Sequence, residues 1–172
     1  MLELVLGGAR SGKSVYAEQQ AGASGLDVVY IATAQASDEE MVQRIAQHQV
    51  RRPAAWKTIE APLELANTLH AEAATGVCLL VDCLTLWLTN CLLHDEQNYW
   101  TQQRQQLLNI LPDLPGTIIL VSNEVGLGII PLGEINRRFV DEAGYLHQSI
   151  AGIAEKVVLV TAGLPQYLKG NA

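Results

Sequence analysis

Eight residues near the start of the chain have the spacing of a phosphate-binding loop, G-x-x-x-x-G-K-[ST]. They are Gly7, Gly8, Ala9, Arg10, Ser11, Gly12, Lys13 and Ser14. In such a loop the glycines bring backbone N–H groups close to phosphate oxygens, the lysine reaches the terminal phosphates and the serine hydroxyl binds Mg²⁺. An apolar stretch at residues 4–6 predicts a strand before the motif, and a helix starting near Gly12 would point its dipole at the same anion. The motif therefore predicts binding of a nucleoside triphosphate.

Asp82 is the predicted acidic partner of this loop. A bound triphosphate needs a carboxylate near its Mg²⁺, normally at the end of a neighbouring strand. Asp82 follows the apolar run 77–81, and the carboxyl ends of parallel strands share one edge of a sheet. We predict that Ser14 and Asp82 hold the metal. The alternative is that Asp82 only caps the helix that follows it.

Asn123 and Glu124 end a further apolar run in the same way, and a loop containing two glycines follows at residues 125–131. Loops at this edge of an open α/β sheet commonly contact ligands. The apolar residues of this loop either cover the site or form a plain structural connection.

His48 is a second candidate for chemistry, because it lies between Arg44 and the pair Arg51-Arg52. Guanidinium groups hold phosphates well. A histidine nucleophile must be neutral; nearby arginines favour that form, whereas the end of a helix favours the charged form. Two interpretations stay open, a surface histidine in a phosphate-holding segment and a covalent nucleophile. The remaining histidines lack such neighbours and are predicted to be surface or packing residues: His70, His94 and His147.

Continuous apolar runs alternate with longer helical segments, which is the pattern of a parallel sheet covered by helices on both faces. Predicted strands cover residues 2–6, 28–32, 77–81, 117–121 and 157–161. Predicted helices cover residues 13–23, 38–49, 63–74, 84–93, 99–111 and 133–154. The tail at 164–172 is expected to form a turn and then a short edge strand or a frayed end. The pattern predicts an α/β fold with a mostly parallel central sheet.

The predicted helix at residues 84–93 is apolar on more than one face, so it needs more than one neighbour. Either it is deeply buried in its own chain or it contacts another copy. The three cysteines lie in apolar surroundings without the paired short spacings of a zinc site, which predicts buried thiols. They are Cys78, Cys83 and Cys91.

Composition limits the class of protein. The 172 residues are enough for one substantial core, and no shift in composition marks a linker, so residues 1–172 are predicted to form one domain. A hydrophobic share of 49% excludes a disordered chain, and no apolar run is long enough for a membrane span. A net charge of −7 argues against a broad nucleic-acid surface. The first strand begins so close to Met1 that no signal peptide fits before it, which predicts a cytoplasmic protein.

Four segments together resemble one family. They are the loop at residues 7–14, Tyr30-Ile31-Ala32-Thr33-Ala34, the stretch from Arg44 through His48 to Pro53, and Asn123-Glu124-Val125-Gly126. The chain is similar, from its first strand to its last, to the adenosylcobinamide kinase/adenosylcobinamide-phosphate guanylyltransferase family. Members phosphorylate the aminopropanol hydroxyl of adenosylcobinamide and then transfer GMP from GTP to the new phosphate, giving adenosylcobinamide-GDP and pyrophosphate for cobalamin biosynthesis.

The resemblance implies roles for individual residues. His48 would be the residue that is guanylylated, and residues 7–14 with Lys13 would bind the triphosphate of GTP or ATP. The other positions that the resemblance places at the nucleotide are Ala32, Thr33, Ala34, Gln49, Val50, Arg51, Arg52, Glu60 and Asp82. A carboxylate suits the N1–H and amino group of guanine, so Glu60 or Asp82 would favour GTP over ATP.

The resemblance also implies a three-layer, RecA-like P-loop fold, a corrinoid substrate and a homotrimer. The chain departs from the family pattern at Val140-Asp141 and His147-Gln148, where Arg-Asp and Asn-Gln are usual. That difference concerns corrinoid contacts more than nucleotide chemistry. Two other functions compete with this one, a small-molecule kinase without guanylyltransferase activity and a nucleotide-dependent regulatory switch.

Overall fold

The computed structural model describes residues 1–35 and 53–171 of the chain. In these ranges the strands are β1 Leu2–Gly7, β2 Asp27–Ala32, β3 Lys57–Glu60, β4 Val77–Asp82, β5 Thr117–Asn123, β6 Lys156–Thr161 and β7 Leu164–Lys169. The helices are α1 Lys13–Ala23, α2 Leu65–Glu72, α3 Leu84–Leu92, α4 Tyr99–Ile110 and α5 Glu134–Ile153, and a 3₁₀ turn at Leu111–Asp113 follows α4.

All seven strands belong to one sheet, in the order β3-β2-β4-β5-β1-β6-β7. The first six are parallel, and β7 runs antiparallel to β6. Six carboxyl ends therefore meet at one edge of the sheet, which is called the carboxyl edge below. Ligands of open α/β sheets bind at this edge.

Helices cover both faces of the sheet and make three layers. Helix α1 packs on one face through Tyr16, Ala17 and Ala21, against strand residues such as Val5 and Tyr30. The other four helices pack on the opposite face through a larger cluster of buried side chains. Strands buried from both sides read as continuous apolar runs, which explains the sequence pattern.

Most of the predicted elements are confirmed in the structure. The five predicted strands and the five predicted helices that fall within the described residues are present, with ends that shift by at most a few positions. The predicted helix at 38–49 lies outside the described residues. Strand β3 was not predicted, because three of its four residues are polar and only Ile59 packs on the core. The tail forms the edge strand β7, one of its two predicted outcomes.

Helix α3 is apolar because it is buried within its own chain. Trp87 and Leu88 are fully buried against one core cluster, whereas Leu86 packs against the other. Its composition therefore requires no contact with a second copy. The three cysteines are free and buried, as predicted. No helix in the described residues is long and apolar enough to cross a membrane.

Candidate active site

The phosphate-binding loop connects the end of β1 to the start of α1, and two of its glycines are required by close backbone approach. A Cβ on Gly7 would lie 2.6 Å from the carbonyl oxygen of Val160. Gly12 has a φ of 93°, a left-handed conformation that favours glycine. A Cβ there would also meet Gly163 at 3.0 Å, and the N–H of Gly163 donates to the Ser11 carbonyl at 2.8 Å. The connection after β6 thus supports the loop from behind.

Lys13 is the first residue of α1, and its side chain is buried. Its ammonium donates to the carbonyl of Gly8 at 3.2 Å, so the charge lies over the loop itself. Ser14 follows in the first turn and is half-buried. The dipole and the N–H groups at the start of α1 favour an anionic phosphate there.

The predicted nucleotide positions Glu60, Ala32 and Asp82 lie in one row across the carboxyl edge. Ala32 is in register with Glu60 of β3 on one side and with Asp82 of β4 on the other. Residues in register on parallel strands point to the same face, and neighbouring strands are about 4.8 Å apart. Both carboxylates therefore lie on the face that α1 covers, with their Cα atoms roughly 10 Å apart. Glu60 is exposed and Asp82 is half-buried.

Asp82 shares the carboxyl edge with the phosphate-binding loop, as predicted, but its strand is not a neighbour of β1. Strand β5 lies between them, with Asp82 opposite Val121 and Gly7 opposite Asn123. The expectation of adjacent strands was wrong, because strand order is decided by pairing between distant segments and not by the local run. The interposed strand leaves a gap of two strand spacings between the loop and Asp82.

Cys83 shows that the charges of Lys13 and Asp82 act on the same small region. Burial, the largest cause, and the negative charge of Asp82 raise the pKa of its thiol to about 11, against smaller opposing effects that include the Lys13 ammonium. The thiol is therefore protonated and uncharged near neutral pH. Cys83 packs as an apolar residue beneath the site.

Hydrogen bonds between distant segments hold the carboxyl edge together. The hydroxyl of Thr33 donates to the carbonyl of Cys83 at 2.7 Å and accepts from its N–H at 2.9 Å. The amide of Asn90 donates to the carbonyls of Thr33 and Pro62, both at 2.9 Å. These bonds fix the ends of β2 and β4 relative to the connection that follows Glu60. Thr33 is fully buried, so its side chain supports the edge from below.

Sequence reasoning missed Asn90 and Thr85, although both are polar residues within the apolar α3 segment. The Thr85 hydroxyl accepts from the amide of Asn123 at 2.8 Å and lies 3.1 Å from the Cys83 thiol. A buried polar side chain needs a partner, so polar residues in an otherwise apolar helix were the available signal. Their partners could not be named from the sequence.

The end of β5 carries Glu124 directly beside the phosphate-binding loop. Its N–H donates to the carbonyl of Gly7 at 3.0 Å, and its carboxylate accepts from the N–H groups of Gly126 at 2.7 Å and Leu127 at 3.2 Å. Behind this strand, Nε2 of His147 lies 2.7 Å from the hydroxyl of the buried Ser122. Burial lowers the pKa of His147, and the charge of Glu124 opposes that shift.

Several predicted site residues lie outside the described residues: His48, Gln49, Val50, Arg51 and Arg52. The structure brings together the other predicted positions, residues 7–14, 32–34, Glu60 and Asp82, along one edge. Within residues 1–35 and 53–171, no group of three or more His, Cys, Asp or Glu side chains is placed to hold a metal. Mg²⁺ beside a nucleotide does not need such a group, because one or two protein oxygens and the phosphates bind it.

A phosphate-binding loop at the carboxyl edge of this three-layer sheet defines a P-loop NTPase of the RecA-like class. Solved structures agree on the fold. The chain superposes on a prototypical ATPase of a bacterial type III secretion system with a TM-score of 0.53 at 12% identity, covering 94% of this chain and 52% of that one. A DnaB-like replicative helicase gives a TM-score of 0.51 at 13% identity, covering 92% and 46%.

Sequence comparison defines the family within that class. The bifunctional adenosylcobalamin biosynthesis protein CobP of Pseudomonas aeruginosa is 62% identical over 171 residues, which span 99% of each chain. The corresponding protein CobU of Escherichia coli is 38% identical over 182 residues, covering 98% of this chain and all of that one. Residues 3–168 match the family model described as cobinamide kinase / cobinamide phosphate guanyltransferase. The chain belongs to this family.

Proposed function

We propose that this protein phosphorylates adenosylcobinamide and then transfers GMP from GTP to adenosylcobinamide phosphate, releasing pyrophosphate. One observation carries the proposal: the chain matches the family model over residues 3–168. The register of Ala32 with Glu60 and Asp82 at the carboxyl edge supports it. The site has the parts that phosphoryl transfer needs, since catalysis there is mostly positioning and charge stabilisation.

Lys13 and the backbone N–H groups of the phosphate-binding loop stabilise the negative charge on the transferred phosphate. Ser14 and Asp82 are the residues proposed to hold Mg²⁺, since both supply an oxygen ligand. Ser14 lies in the first turn of α1, and Asp82 ends β4 on the sheet face that α1 covers. When bound, the metal would neutralise phosphate charge. ATP and GTP are both proposed as phosphate donors for the kinase step.

His48 is the proposed nucleophile of the second reaction. Its imidazole attacks the α-phosphorus of GTP, a P–N bond forms, and the bond to pyrophosphate breaks. The phosphate of the acceptor then attacks the same phosphorus, and the histidine is regenerated. An anionic phosphate acceptor needs no strong general base. Arg51 and Arg52 follow His48 in the sequence and are proposed to bind the nucleotide phosphates.

The positions of Glu60 and Asp82 in the sheet suggest which carboxylate binds guanine and which binds the metal. Asp82 is two strands from β1, whereas Glu60 is four strands away, on the edge strand β3. At about 4.8 Å per strand these separations are roughly 10 and 19 Å. The triphosphate lies at the loop, so the more distant carboxylate is the better placed for the base. We assign Glu60 to the guanine and Asp82 to the metal.

Covalent labelling tests the guanylyl intermediate. GTP labelled at the α-phosphate is incubated with the protein without corrinoid, and the denatured protein is treated with acid and with alkali. A phosphoramidate is labile in acid and stable in alkali, so label with that behaviour at His48 is expected. Stoichiometric release of pyrophosphate should accompany it. Hydrolysis of GTP to phosphate alone, without corrinoid binding, would instead indicate a regulatory switch.

The His48→Ala variant separates the two reactions. It should retain phosphorylation of adenosylcobinamide and lose both the label and GMP transfer. His70→Ala is the matched control, because His70 is an exposed histidine on α2. If His48→Ala transfers GMP at the wild-type rate, His48 is not the nucleophile of that reaction.

A homotrimer of single-domain subunits is proposed on the family resemblance alone, and equilibrium sedimentation would test it. Location in the cytoplasm stays a prediction.

A further inference from the structure

The four most exposed large apolar side chains of the described residues lie between β5 and α5. Residues 125–133 read Val-Gly-Leu-Gly-Ile-Ile-Pro-Leu-Gly, without a charged side chain, and are called the 125–133 loop. The most exposed members are Leu127 at 84%, Ile129 at 99% and Leu132 at 96%. Exposed apolar groups of this size, clustered in one loop, are typical of a binding surface.

The loop is tied to the phosphate-binding loop. Glu124 stands directly before it and donates its N–H to the carbonyl of Gly7, the first residue of the phosphate motif. The Glu124 carboxylate then accepts from the N–H groups of Gly126 and Leu127. The exposed apolar side chains therefore begin at Leu127, three residues after a backbone contact with the phosphate-binding loop.

The far end of the loop is held as well. The guanidinium of Arg137, in the first turn of α5, donates to the carbonyl of Leu132 and to that of Pro131 at 3.5 Å. Bonds at both ends restrain the loop, which lowers the entropy that a ligand must remove on binding. Between them, the backbone of residues 128–130 makes no hydrogen bond to any part of the chain that the structure describes.

We propose that the 125–133 loop is the platform for the corrin macrocycle of the acceptor. This inference rests on the proposed function, which requires the acceptor's aminopropanol arm to reach the transferred phosphate while the macrocycle lies beside it. A corrin ring is a broad disc whose rim carries methyl groups and neutral amide side chains. Aliphatic side chains suit the methyl groups, and free backbone N–H and C=O groups suit the amides. An uncharged loop leaves no carboxylate or ammonium to be desolvated beneath the disc.

Two single variants test the platform, Leu127→Ser and Ile129→Ser. Both side chains are almost fully exposed in the chain, so neither substitution should impair folding. Each should weaken binding of adenosylcobinamide, measured from the corrinoid's own absorption, by about tenfold, the effect of moving one large aliphatic side chain from an apolar contact back into water. The KM for adenosylcobinamide in the kinase reaction should rise in parallel, while the KM for nucleotide changes little.

Leu168→Ser is the matched control, because Leu168 is 60% exposed on the edge strand β7. It should bind the corrinoid as wild type does. Labelling of the protein by GTP needs no corrinoid, and both loop variants should retain it in full. This comparison distinguishes the platform from the nucleotide site, since a loop that contacts the nucleotide would lower labelling.

Three outcomes in the loop variants would overturn the platform alone. Unchanged corrinoid binding in both variants would do so, as would loss of GTP labelling. A lower subunit number by sedimentation in the loop variants would show that a second copy covers the loop. Failure of the proposed function looks different, because wild-type protein would then bind adenosylcobinamide without turning it over. Wild-type protein that binds no adenosylcobinamide would overturn both proposals.

Discussion

Charged side chains lie on the α1 side of the sheet both at the amino ends of the strands and at the carboxyl edge. The two sets differ in how far partners within the protein satisfy them. At the amino end, Glu3 of β1 is only 1% exposed. It accepts from the Tyr16 hydroxyl at 3.0 Å and lies 3.5 Å from the ammonium of Lys156. Burial, followed by the contacts with Tyr167 and Glu3, raises the pKa of Tyr16 far above its usual value, so its hydroxyl stays protonated as a donor. Each charge there is satisfied within the fold.

At the carboxyl edge, the charged groups have few partners among the described residues. Lys13 donates to one backbone carbonyl, and neither Asp82 nor Glu60 forms an ion pair with another described residue. Their neighbours Thr33, Cys83 and Asn90 bond to one another and hold the edge in place.

The difference separates the charges that stabilise the fold from those that are left to bind a ligand. A buried charge is tolerated when partners inside the protein satisfy it. The cluster around Glu3 meets that condition, so we interpret it as part of the core with a structural role. Side chains of the carboxyl edge are held in place by others but keep donors and acceptors for a ligand. The comparison predicts that substitutions at one end affect stability and those at the other end affect turnover.

Lys13→Ala should have the largest effect and should affect turnover alone. Removing the ammonium withdraws charge stabilisation from both reactions, and each rate should fall by at least about 100-fold. Kinase and GMP-transfer rates at saturating nucleotide measure it. Lys57→Ala is the matched control, because Lys57 pairs with Glu72 on the surface of α2. Full activity of Lys13→Ala would mean that the phosphate-binding loop has been misassigned.

Glu3→Ala should do the opposite and lower stability without changing turnover per folded molecule. It leaves Lys156 and the Tyr16 hydroxyl without their buried partner, which costs about 3 kcal/mol. Urea unfolding followed by fluorescence measures the change. Glu3→Gln keeps an acceptor for Tyr16 and loses only the charge, so its cost should be smaller. If Glu3→Ala unfolds like wild type but turns over slowly, the assignment of stability to the amino end and of turnover to the carboxyl edge is wrong.

The sequence predicts some parts of the site better than others, for a physical reason. The phosphate-binding loop is local, since eight consecutive residues determine where its N–H groups and ammonium lie. Ser14 and Lys13 could therefore be placed without knowing the sheet. The register of Glu60, Ala32 and Asp82 could not, because it depends on which strands pair across long separations in the chain.

Edge strands and buried polar contacts were the hardest to predict. Strand β3 has one core-facing side chain, Ile59, so its four residues gave no period to recognise. Asn90 donates to Thr33, which is 57 positions away in the chain. Its type and its apolar surroundings showed only that it needs some partner. The partner is known only from the fold, which brings α3 beside the residue that follows β2.

Asn90→Leu should show an intermediate effect on both properties. It leaves the carbonyls of Thr33 and Pro62 without their shared donor, which costs about 1–2 kcal/mol. Since those carbonyls flank the row of Glu60 and Asp82, the KM for GTP should rise while the protein still folds. Urea unfolding and steady-state kinetics measure the two changes. Asn109→Leu, at an exposed position on α4, should change neither. A variant that loses stability and keeps its KM for GTP would make Asn90 purely structural.

Substitution of His147 should have the smallest effect, a change in the free energy of unfolding that appears only in acid. Burial lowers its pKa in the folded protein below the ordinary value of 6.5 that applies to the unfolded chain. As the pH falls below that value, the unfolded chain takes up a proton that the folded protein does not, so the free energy of unfolding decreases. Above it both states are neutral and the contribution vanishes.

His147→Gln removes this titration and leaves a side chain that can still bond to the Ser122 hydroxyl. Urea unfolding of both proteins at about pH 7.5 and about pH 5.5 measures the difference. The wild type should lose more stability between the two values than His147→Gln does. Equal losses would place the imidazole in a solvated position, and the hydrogen bond to Ser122 would then not hold it beneath the end of β5. The same substitution should leave GMP transfer unchanged at neutral pH, because His147 bonds to Ser122 on the sheet face opposite α1.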